Sequence, residues 1–466
     1  MKHYRVAIIG GGPGGYEAAI RLNQYGIDCV VVEKSRLGGI CLNWGCIPTK
    51  ALVKSSELWH EIAEAETYGL AAKQETLDYA RLFARKNEVV EKLVSGVEFL
   101  FRKRQIPVLL TKALSITKTD ERFSIKLETE EDISSDYVII ATGSVPKELP
   151  NLKIDEKDIL SSTGILQMEQ LPKSLAVIGG GVVGCEFASV YNALGVAVHL
   201  IEFLPAILST EDDEVAKRLQ MCLKKAGIKI KTGVGVNSYY KANDNIILKL
   251  SDDSELAVEK ALLCVGRTPM QSVNFLPAEP VSDHGAIQID QYMRTDIPNV
   301  YAIGDVTGKL PLAHTASKQG LLVAEHILSI EQKTPIHFDE LIYENIPRCT
   351  FTNPEVSSCG LTEKQALDKY KEIKIGRFPF SANGKALAGG NTNGFVKIIA
   401  TADDFQLVGM HILGPNAAEL IAQGSILINL KATAADVEKV VFAHPTLSEA
   451  IMEAIEDLKG LSIHKI

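Results

Sequence analysis

The chain has 466 residues, of which 46% are hydrophobic and 23% are charged, and its formal net charge is −9 at pH 7. These values describe an ordinary globular protein of about three domains and argue against a nucleic-acid partner, which requires a basic surface. No run of about 18 apolar residues predicts a membrane span. Residues 5–10 already have the pattern of a buried strand and leave no room for a signal peptide, so we expect a cytoplasmic protein.

The chain opens with a glycine-rich motif set between two predicted strands. After the first strand comes Gly10-x-Gly12-x-x-Gly15, then a helical stretch to about Tyr25 and an apolar run that ends at Glu33. A β-α-β segment of this kind is typical of dinucleotide binding. The glycines allow the backbone to approach a pyrophosphate at the N-terminus of the helix, and the acid accepts hydrogen bonds from a ribose.

Cys41 and Cys46 follow, and they are the only pair close together among eight cysteines. A zinc site would need two more soft ligands at a matching spacing, and the sequence has no second CxxC or Cys/His cluster. Two inert buried thiols are another alternative, but the glycine- and proline-rich surroundings are poor core. A redox-active disulfide fits best, because a thiolate near a helix end and a cation becomes reactive.

The middle of the chain predicts further elements of an α/β fold. Residues 78–105 carry apolar side chains at helical spacing, which predicts a long amphipathic helix. Short apolar runs that end in glycine at 137–143, 262–266 and 300–304 predict buried parallel strands. The carboxyl ends of such strands host ligands in α/β sheets.

The glycine-rich motif recurs as Gly179-x-Gly181-x-x-Gly184, followed by a helical stretch and an apolar run that ends at Glu202. The offset is 169 residues for both the first glycine (10 to 179) and the acid (33 to 202). This duplication favours two sites for two different nucleotides over two ligand-free turns. Glu202 favours NAD over NADP, because a carboxylate there binds a 2′-hydroxyl and repels a 2′-phosphate.

The pattern changes after about Leu341. Residues 395–400 and 406–413 predict strands, and residues 417–430 and 446–458 predict helices, which indicates a separate α+β domain. The predicted fold class is therefore α/β, with two Rossmann-like dinucleotide-binding domains and a C-terminal α+β domain.

A His444-Pro-Thr-x-x-Glu449 segment lies near the end of the chain. Dithiol oxidation needs a base that works near neutral pH, for which histidine is the usual choice, and a carboxylate can orient its ring. A structural role is the alternative, because Thr446 and Glu449 also have the spacing of a capping box that opens the last helix.

The stretch from Gly38 to Lys50, Gly-Gly-Ile-Cys-Leu-Asn-Trp-Gly-Cys-Ile-Pro-Thr-Lys, resembles the signature of the class I flavin-dependent pyridine nucleotide–disulfide oxidoreductases. The resemblance covers essentially the whole chain and implies an enzyme that binds FAD and NAD and has a C-terminal dimerisation domain. It implies that Cys41 is the interchange thiol that meets the substrate and that Cys46 stacks against the flavin. Trp44 stands where the family usually has a smaller residue.

The resemblance also assigns site residues by position. The implied FAD contacts are Gly10, Gly12, Gly15, Glu33, Lys50, Ala113, Gly143, Asp305 and Ala313, and the implied NAD contacts are Gly179, Gly181, Gly184, Glu202, Val234 and Gly266. Glu186 is expected to pair with Lys50 beside the reactive edge of the flavin. His444 is expected to be the catalytic base, held by Glu449. In the family this base reaches the active site of the partner subunit, which implies a homodimer, and no metal is expected.

The same resemblance divides the chain into four segments. These are an FAD-binding domain (1–146), an NAD-binding domain (147–270), a central segment that returns to the FAD domain (271–340) and a dimerisation domain (341–466).

Details of the sequence favour the branch of the family that oxidises protein-bound dihydrolipoyl groups to lipoyl with NAD+. The chain lacks the arginines that NADPH-dependent glutathione-type reductases carry near Glu202, and it lacks the C-terminal cysteine pair of mercuric reductases. The expected partners are lipoyl domains of 2-oxoacid dehydrogenase complexes or the glycine cleavage carrier protein. Two alternatives stay open: another NAD(P)H-dependent disulfide reductase of the family, and a non-catalytic flavin- and NAD-binding redox sensor. Such a sensor would need none of Cys41, Cys46 and His444.

Overall fold

The computed structural model describes residues 1–119, 122–334 and 340–465. The chain divides into two compact units, each drawn from three stretches of sequence. The first unit comprises Met1–Ala51, Ala80–Lys147 and Gly266–Tyr343, and the second comprises Leu52–Tyr79, Glu148–Val265 and Glu344–Ile466. In the part of the chain that the structure describes, no helix has both the length and the apolar character needed to cross a membrane.

The described residues form α-helices and β-strands that are numbered separately in chain order. The α-helices are α1 (Pro13–Gln24), α2 (Gly39–Trp44), α3 (Cys46–Glu64), α4 (Tyr79–Arg104), α5 (Ser162–Gln167), α6 (Val182–Ala193), α7 (Asp213–Lys225), α8 (Ala313–Gln332), α9 (Glu363–Tyr370), α10 (Gly384–Ala388), α11 (Ala417–Asn429), α12 (Ala434–Val437) and α13 (Glu449–Glu456). The strands are β1 (Lys2–Ile9), β2 (Cys29–Glu33), β3 (Val108–Leu110), β4 (Ala113–Lys118), β5 (Phe123–Leu127), β6 (Ile133–Ile140), β7 (Ser144–Pro146), β8 (Ile159–Leu160), β9 (Ser174–Ile178), β10 (Ala197–Glu202), β11 (Lys229–Thr232), β12 (Val236–Ala242), β13 (Asn245–Leu250), β14 (Glu255–Val258), β15 (Lys260–Leu263), β16 (Arg267–Pro269), β17 (Asn274–Leu276), β18 (Ser282–Asp283), β19 (Ala286–Ile287), β20 (Val300–Ala302), β21 (Arg348–Thr350), β22 (Glu355–Gly360), β23 (Ile373–Pro379), β24 (Phe395–Thr401) and β25 (Leu407–Gly414).

The first unit is built around an eight-stranded sheet with the order β17-β4-β5-β6-β1-β2-β3, in which β20 pairs with β6. Strand β1 runs parallel to β2 and β6. Because side chains alternate along a strand, β1 serves both faces of the sheet. Val6 and Ile8 cluster with apolar residues of α1, α4 and α8, whereas Ala7 and Ile9 belong to a second cluster on the opposite face.

Helices α1 and α8 approach closely because each has a glycine at the contact. A Cβ added at Gly320 would lie 2.5 Å from the carbonyl oxygen of Gly14 and 3.3 Å from the Cβ of Ala18. A Cβ added at Gly14 would lie 2.8 Å from the carbonyl oxygen of Ala316. This contact sets the position of α1, whose N-terminus carries the first glycine-rich turn.

The second unit contains three sheets. A parallel sheet has the order β11-β10-β9-β15-β8, and a small antiparallel sheet has the order β12-β13-β14. The third sheet is antiparallel, with the order β21-β22-β25-β24-β23, and apolar residues of α11 and α13 pack into its core cluster.

The predicted fold class is confirmed, as is each strand and helix predicted between residues 78 and 430. The start of the last helix was placed wrongly, because α13 begins at Glu449 and not at Thr446. The Thr446 hydroxyl donates to the carbonyl oxygen of Ala443 at 2.8 Å, so it does not cap the helix. Half of a capping box is present, since the Thr446 N–H donates to the Glu449 carboxylate at 2.8 Å. The division into four segments stays a prediction.

We expect Gly320→Ala to lower the melting temperature of the protein, because overpacking of a closed helix contact costs about 1–3 kcal/mol. Gly96→Ala is the matched control, since Gly96 also lies within a helix but, among the described residues, has no atom within 4 Å of an added Cβ. That control should gain up to about 1 kcal/mol from helix propensity. Circular dichroism melts of both variants test the packing, and an unchanged melting temperature for Gly320→Ala would contradict it.

Candidate active site

The first glycine-rich turn is closed by the carboxylate of Glu33. Its Oε2 accepts the Gly11 N–H at 2.7 Å, and its Oε1 accepts the Ser35 N–H at 2.9 Å. Gly10 has a φ of +112°, and a Cβ there would lie 2.2 Å from the carbonyl oxygen of Ala141. The chain can therefore make this turn only with glycine at position 10.

Gly15 and Gly12 have different structural roles in the same turn. A Cβ at Gly15 would lie 2.0 Å from the carbonyl oxygen of Gly10, so Gly15 lets α1 start directly against the turn. A Cβ at Gly12 would meet only the Cα of Gly39, at 3.9 Å, among the described atoms. No described side chain caps α1. Its N-terminal N–H groups and the open space at Gly12 therefore fit a pyrophosphate.

The second turn repeats this geometry. Gly179 has a φ of +108°, and a Cβ there would lie 2.3 Å from the carbonyl oxygen of Cys264. A Cβ at Gly184 would lie 1.9 Å from the carbonyl oxygen of Gly179. At Gly181, by contrast, no described atom lies within 4 Å of an added Cβ. The duplication seen in the sequence is thus also a duplication of backbone shape, and the second turn fits a second dinucleotide.

Glu202 closes the second turn as Glu33 closes the first. Its Oε2 accepts the Gly180 N–H at 2.5 Å, and its Oε1 accepts the Leu204 N–H at 2.6 Å. The backbone carbonyl of Glu202 accepts the Val234 N–H at 3.0 Å, which brings together two of the residues expected to contact NAD. Each carboxylate oxygen keeps a lone pair for a ribose hydroxyl.

Cys41 lies in α2, and Cys46 is the first residue of α3. Both are thiols here, the reduced form of the predicted disulfide. The hydrogen bond with Cys46 raises the pKa of Cys41, burial and the charge of a Cys46 thiolate raise it further, and Lys50 opposes the rise. Cys46 lies at the N-terminus of α3, where the helix dipole favours a negative charge on its sulfur. A Cβ at Gly39 would lie 2.7 Å from the Cα of Gly12, so the segment that carries Cys41 packs on the first turn.

Two expected flavin contacts, Gly143 and Asp305, are joined through their neighbours. Ser144 Oγ donates to Asp305 Oδ2 at 2.5 Å and accepts from Arg267 Nε at 2.6 Å. Arg267 Nε lies 3.7 Å from Asp305 Oδ2. The Gly143 carbonyl accepts the Met270 N–H at 2.9 Å. This bonding orients the Asp305 carboxylate, as a contact to the hydroxyls of a ribityl chain requires.

The remaining expected cofactor contacts lie on several elements. Ala113 begins β4, Ala313 begins α8, and Gly266 precedes β16 with a φ of +109°. Lys50 lies in α3 within the first unit, and Glu186 lies in α6 of the second unit, where its Oε1 accepts a backbone N–H at 2.9 Å. The pairing of Lys50 with Glu186 stays a prediction, as do the roles of the other residues in cofactor binding.

His444 and Glu449 are brought together in the second unit. Nδ1 of His444 lies 2.9 Å from Oε1 of Glu449. Burial works to raise the pKa of Glu449, but hydrogen bonds from the Thr446 N–H and from His444, with the charges of His444 and His464, leave that pKa below its ordinary value. The carboxylate therefore stays ionised and holds Nδ1–H, which leaves Nε2 of His444 to accept a proton.

Two polar residues that bond to Asp305 or to its neighbours could not be assigned this role from the sequence. The first is Arg267, whose bond to Ser144 is described above. The sequence feature that could have identified it is its position directly before Thr-Pro in a Gly-Arg-Thr-Pro motif. Gln319 is fully buried in α8, where it accepts the Gly304 N–H at 2.6 Å and donates to the Tyr343 hydroxyl at 2.9 Å. The sequence feature that could have identified Gln319 is a glutamine on the apolar face of a helix. Within the described ranges, no group of three or more His, Cys, Asp or Glu side chains could hold a metal ion.

Comparison with known protein families finds two matches that together span most of the chain. The model for the pyridine nucleotide-disulphide oxidoreductase family matches residues 4–320, and the model for the dimerisation domain of that family matches residues 346–455. A dihydrolipoyl dehydrogenase from Bacillus subtilis is 39% identical over 477 residues and covers 99% of both chains. One from Halobacterium salinarum is 37% identical over 471 residues, 99% of this chain and 97% of its own.

Solved structures share the fold over nearly the full length. LpdA from Mycobacterium tuberculosis superposes with a TM-score of 0.88 at 23% identity, over 98% of this chain and 100% of that one. The HOCl-induced flavoprotein disulfide reductase RclA from Escherichia coli gives a TM-score of 0.84 at 26% identity, over 97% of this chain and 99% of that one.

We expect Gly181→Ala to weaken NADH binding about tenfold, the equivalent of one lost charge-assisted hydrogen bond, because the methyl group would hold the pyrophosphate away from the backbone. The melting temperature of the ligand-free protein should not change, since the added methyl group meets open space. Gly184→Ala should lower the melting temperature, because its added methyl group would clash with the Gly179 carbonyl. Calorimetric titration with NADH and thermal melts measure both effects. Binding as tight as in the wild type by Gly181→Ala would contradict the assignment of this turn.

Proposed function

Because the chain belongs to the pyridine nucleotide-disulphide oxidoreductase family, we propose that it oxidises dihydrolipoyl groups to lipoyl and reduces NAD+ to NADH. The protein is an FAD- and NAD-dependent disulfide oxidoreductase, and its curated relatives named above are dihydrolipoyl dehydrogenases that match over nearly their full lengths. The observation that carries the proposal is the position of the pair Cys41 and Cys46, in a segment that packs against the first glycine-rich turn. A protein that only binds nucleotides does not need such a pair of cysteines.

In this proposal the first turn, closed by Glu33, holds FAD, and the second turn, closed by Glu202, holds NAD+. Bound FAD supplies a two-electron acceptor that takes electrons from a dithiol and delivers a hydride to NAD+. The Asp305 carboxylate, fixed by Ser144 and Arg267, is suited to bind the ribityl hydroxyls. The carboxylate of Glu202 repels the 2′-phosphate of NADP and so selects NAD+.

The thiol pair performs the exchange with substrate. A substrate thiolate attacks the sulfur of Cys41, the bond between Cys41 and Cys46 breaks, and Cys46 leaves as a thiolate. The second substrate thiol then displaces Cys41 and closes the lipoyl disulfide, so the two electrons of the substrate stay on the enzyme dithiol. The position of Cys46 at the start of α3 supports this division, since a helix N-terminus stabilises a thiolate.

His444 is proposed to take the proton of the attacking substrate thiol at Nε2. Glu449 accepts Nδ1–H and stabilises the protonated ring, which raises the proportion of substrate thiolate. The lowered pKa of Glu449 supports this role, because the carboxylate remains charged when the ring is protonated.

The dimerisation-domain match supports a homodimer. We further propose lipoyl domains of 2-oxoacid dehydrogenase complexes, or the glycine cleavage carrier protein, as partners. A reducing cytoplasm is the proposed location, because the acidic chain carries six further cysteines with no sequence pattern of structural disulfides.

We expect His444→Gln to lower kcat for NADH formation from dihydrolipoamide and NAD+ by about 10²–10⁴-fold, the usual contribution of a general base. Glu449→Gln should lower it less, since the ring remains and only its orientation and charge partner are lost. His284→Gln is the matched control, because the side chain of His284 is 97% exposed in the first unit.

The wild-type rate also tests the proposed function. A protein that binds FAD and NADH but forms no NADH from dihydrolipoamide would contradict the dihydrolipoyl assignment and favour the redox-sensor alternative. Equal rates for His444→Gln and His284→Gln would contradict the role of His444 alone.

A further inference from the structure

A row of basic side chains crosses the third sheet of the second unit. Residues directly opposite each other on neighbouring strands point to the same face. Register pairs join all five strands, in the sequence Arg348–Ser358, Ser358–His411, His411–Lys397 and Lys397–Arg377. We call Arg348, His411, Lys397 and Arg377 the basic row.

The basic row meets carboxylates from two helix starts. Nζ of Lys397 lies 2.7 Å from Asp212 Oδ1, 2.7 Å from Glu363 Oε2 and 3.1 Å from Glu214 Oε2. Nε of Arg377 lies 2.9 Å from Glu214 Oε2. Asp212 and Glu214 open α7, whereas Glu363 is the first residue of α9. Lys397 and Arg377 of the row therefore bind α7 to the sheet through charges.

These charges are retained despite their burial. The side chains of Lys397 and Asp212 are only 1% and 2% exposed. Burial opposes both charges, but the hydrogen bonds between them leave the pKa of Lys397 raised and that of Asp212 lowered. Buried ion pairs rarely add stability over apolar side chains of the same size, and their best-attested use is to specify one geometry. The network is therefore suited to placing α7 and not merely to holding it.

Residues 203–212 form a segment that begins directly after Glu202 and leads into α7. The Leu208 N–H donates to the carbonyl oxygen of Gly180 at 2.8 Å. A Cβ at Gly180 would lie 2.9 Å from Cγ2 of Ile207, so this segment packs on the second glycine-rich turn. The Glu211 N–H donates back to the Leu208 carbonyl at 2.8 Å. The segment is thus attached to the turn at one end and to the basic row at the other.

We propose that the basic row is a positioning network for the NAD site. By fixing Asp212 and Glu214, it fixes residues 203–212, and through them the Gly180 turn and the Glu202 carboxylate that bind the nucleotide. None of its residues contacts the nucleotide in this account, so they are positioning residues. The inference rests on the proposed assignment of the second turn to NAD+.

Glu214→Ala and Glu363→Ala separate positioning from stability. Both residues lie in the first turn of a helix, both contact Lys397, and their side chains are 39% and 37% exposed. Only Glu214 belongs to the element that continues from the nucleotide turn. We expect Glu214→Ala to raise the Kd for NADH about threefold to tenfold, the range of coupling through a packed network, and Glu363→Ala to leave it within about twofold. Their melting temperatures should fall by similar amounts.

One half-reaction and the steady-state kinetics of the complete reaction give the remaining readouts. Reduction of the bound flavin by dihydrolipoamide without NAD+ should proceed at the wild-type rate in both variants, and Glu214→Ala should raise KM for NAD+ without lowering kcat. Absence of the dithiol half-reaction in the wild type would contradict the proposed function, but the comparison of NADH affinities would still decide this inference.

Equal Kd values for NADH in Glu214→Ala and Glu363→Ala, whether raised together or both unchanged, would overturn the positioning role. If Glu214→Ala does not fold, Glu214→Gln with Glu363→Gln as its control serves the same comparison, because both keep the size of the side chain while removing one charge. Asp212→Asn, which keeps the helix cap but removes the charge that Lys397 contacts, should raise the Kd in the same direction as Glu214→Ala.

Discussion

A carboxylate that closes a glycine-rich turn is the interaction on which the rest of the structure depends, and the chain uses it twice. Glu33 accepts the Gly11 N–H and Glu202 accepts the Gly180 N–H, each from the end of the strand that follows the helix. An ionised group in a buried position requires such donors, and the donors in turn are held in place by the charge. Turn, helix start and acid therefore form one cradle.

The first cradle gains its redox character from the segment packed against it. Gly39 approaches the Cα of Gly12 so closely that no side chain fits between them, and Cys41 follows two residues later. The thiol pair is thereby tied to the site where the flavin is proposed to bind. The second cradle is attached, through residues 203–212, to a sheet in which a charged network is buried. Two copies of one motif have thus acquired different surroundings and different tasks.

The features that depend on the spacing of residues along the chain could be predicted from the sequence. The glycines and acids of both cradles, the helix over 79–104 and the buried strands follow from local pattern, because glycine spacing and the periodicity of apolar residues are visible within short stretches of sequence. The start of α13 was misplaced because Thr446 bonds backward to Ala443, a local competition that the capping-box spacing does not reveal.

Contacts between distant segments could not be predicted in this way. Ser144, Arg267 and Asp305 come from three separate parts of the chain, and only the fold brings them together. Lys397 is recognisable in the sequence as a lysine inside an apolar strand, which indicates a buried charge. Its carboxylate partner Asp212, however, lies in the other half of the sequence. Pattern alone could not assign that partner, because the pairing depends on how α7 packs on the sheet.

The central claim is that each cradle of a chain holds a different dinucleotide. Native mass spectrometry of the intact protein, supplied with FAD and NAD+, tests it most directly, because the mass of each bound nucleotide identifies it. We expect one FAD and one NAD+ per chain, and two of each in a dimer. Two copies of the same dinucleotide on one chain, or a total of one nucleotide per chain under saturating conditions, would contradict it.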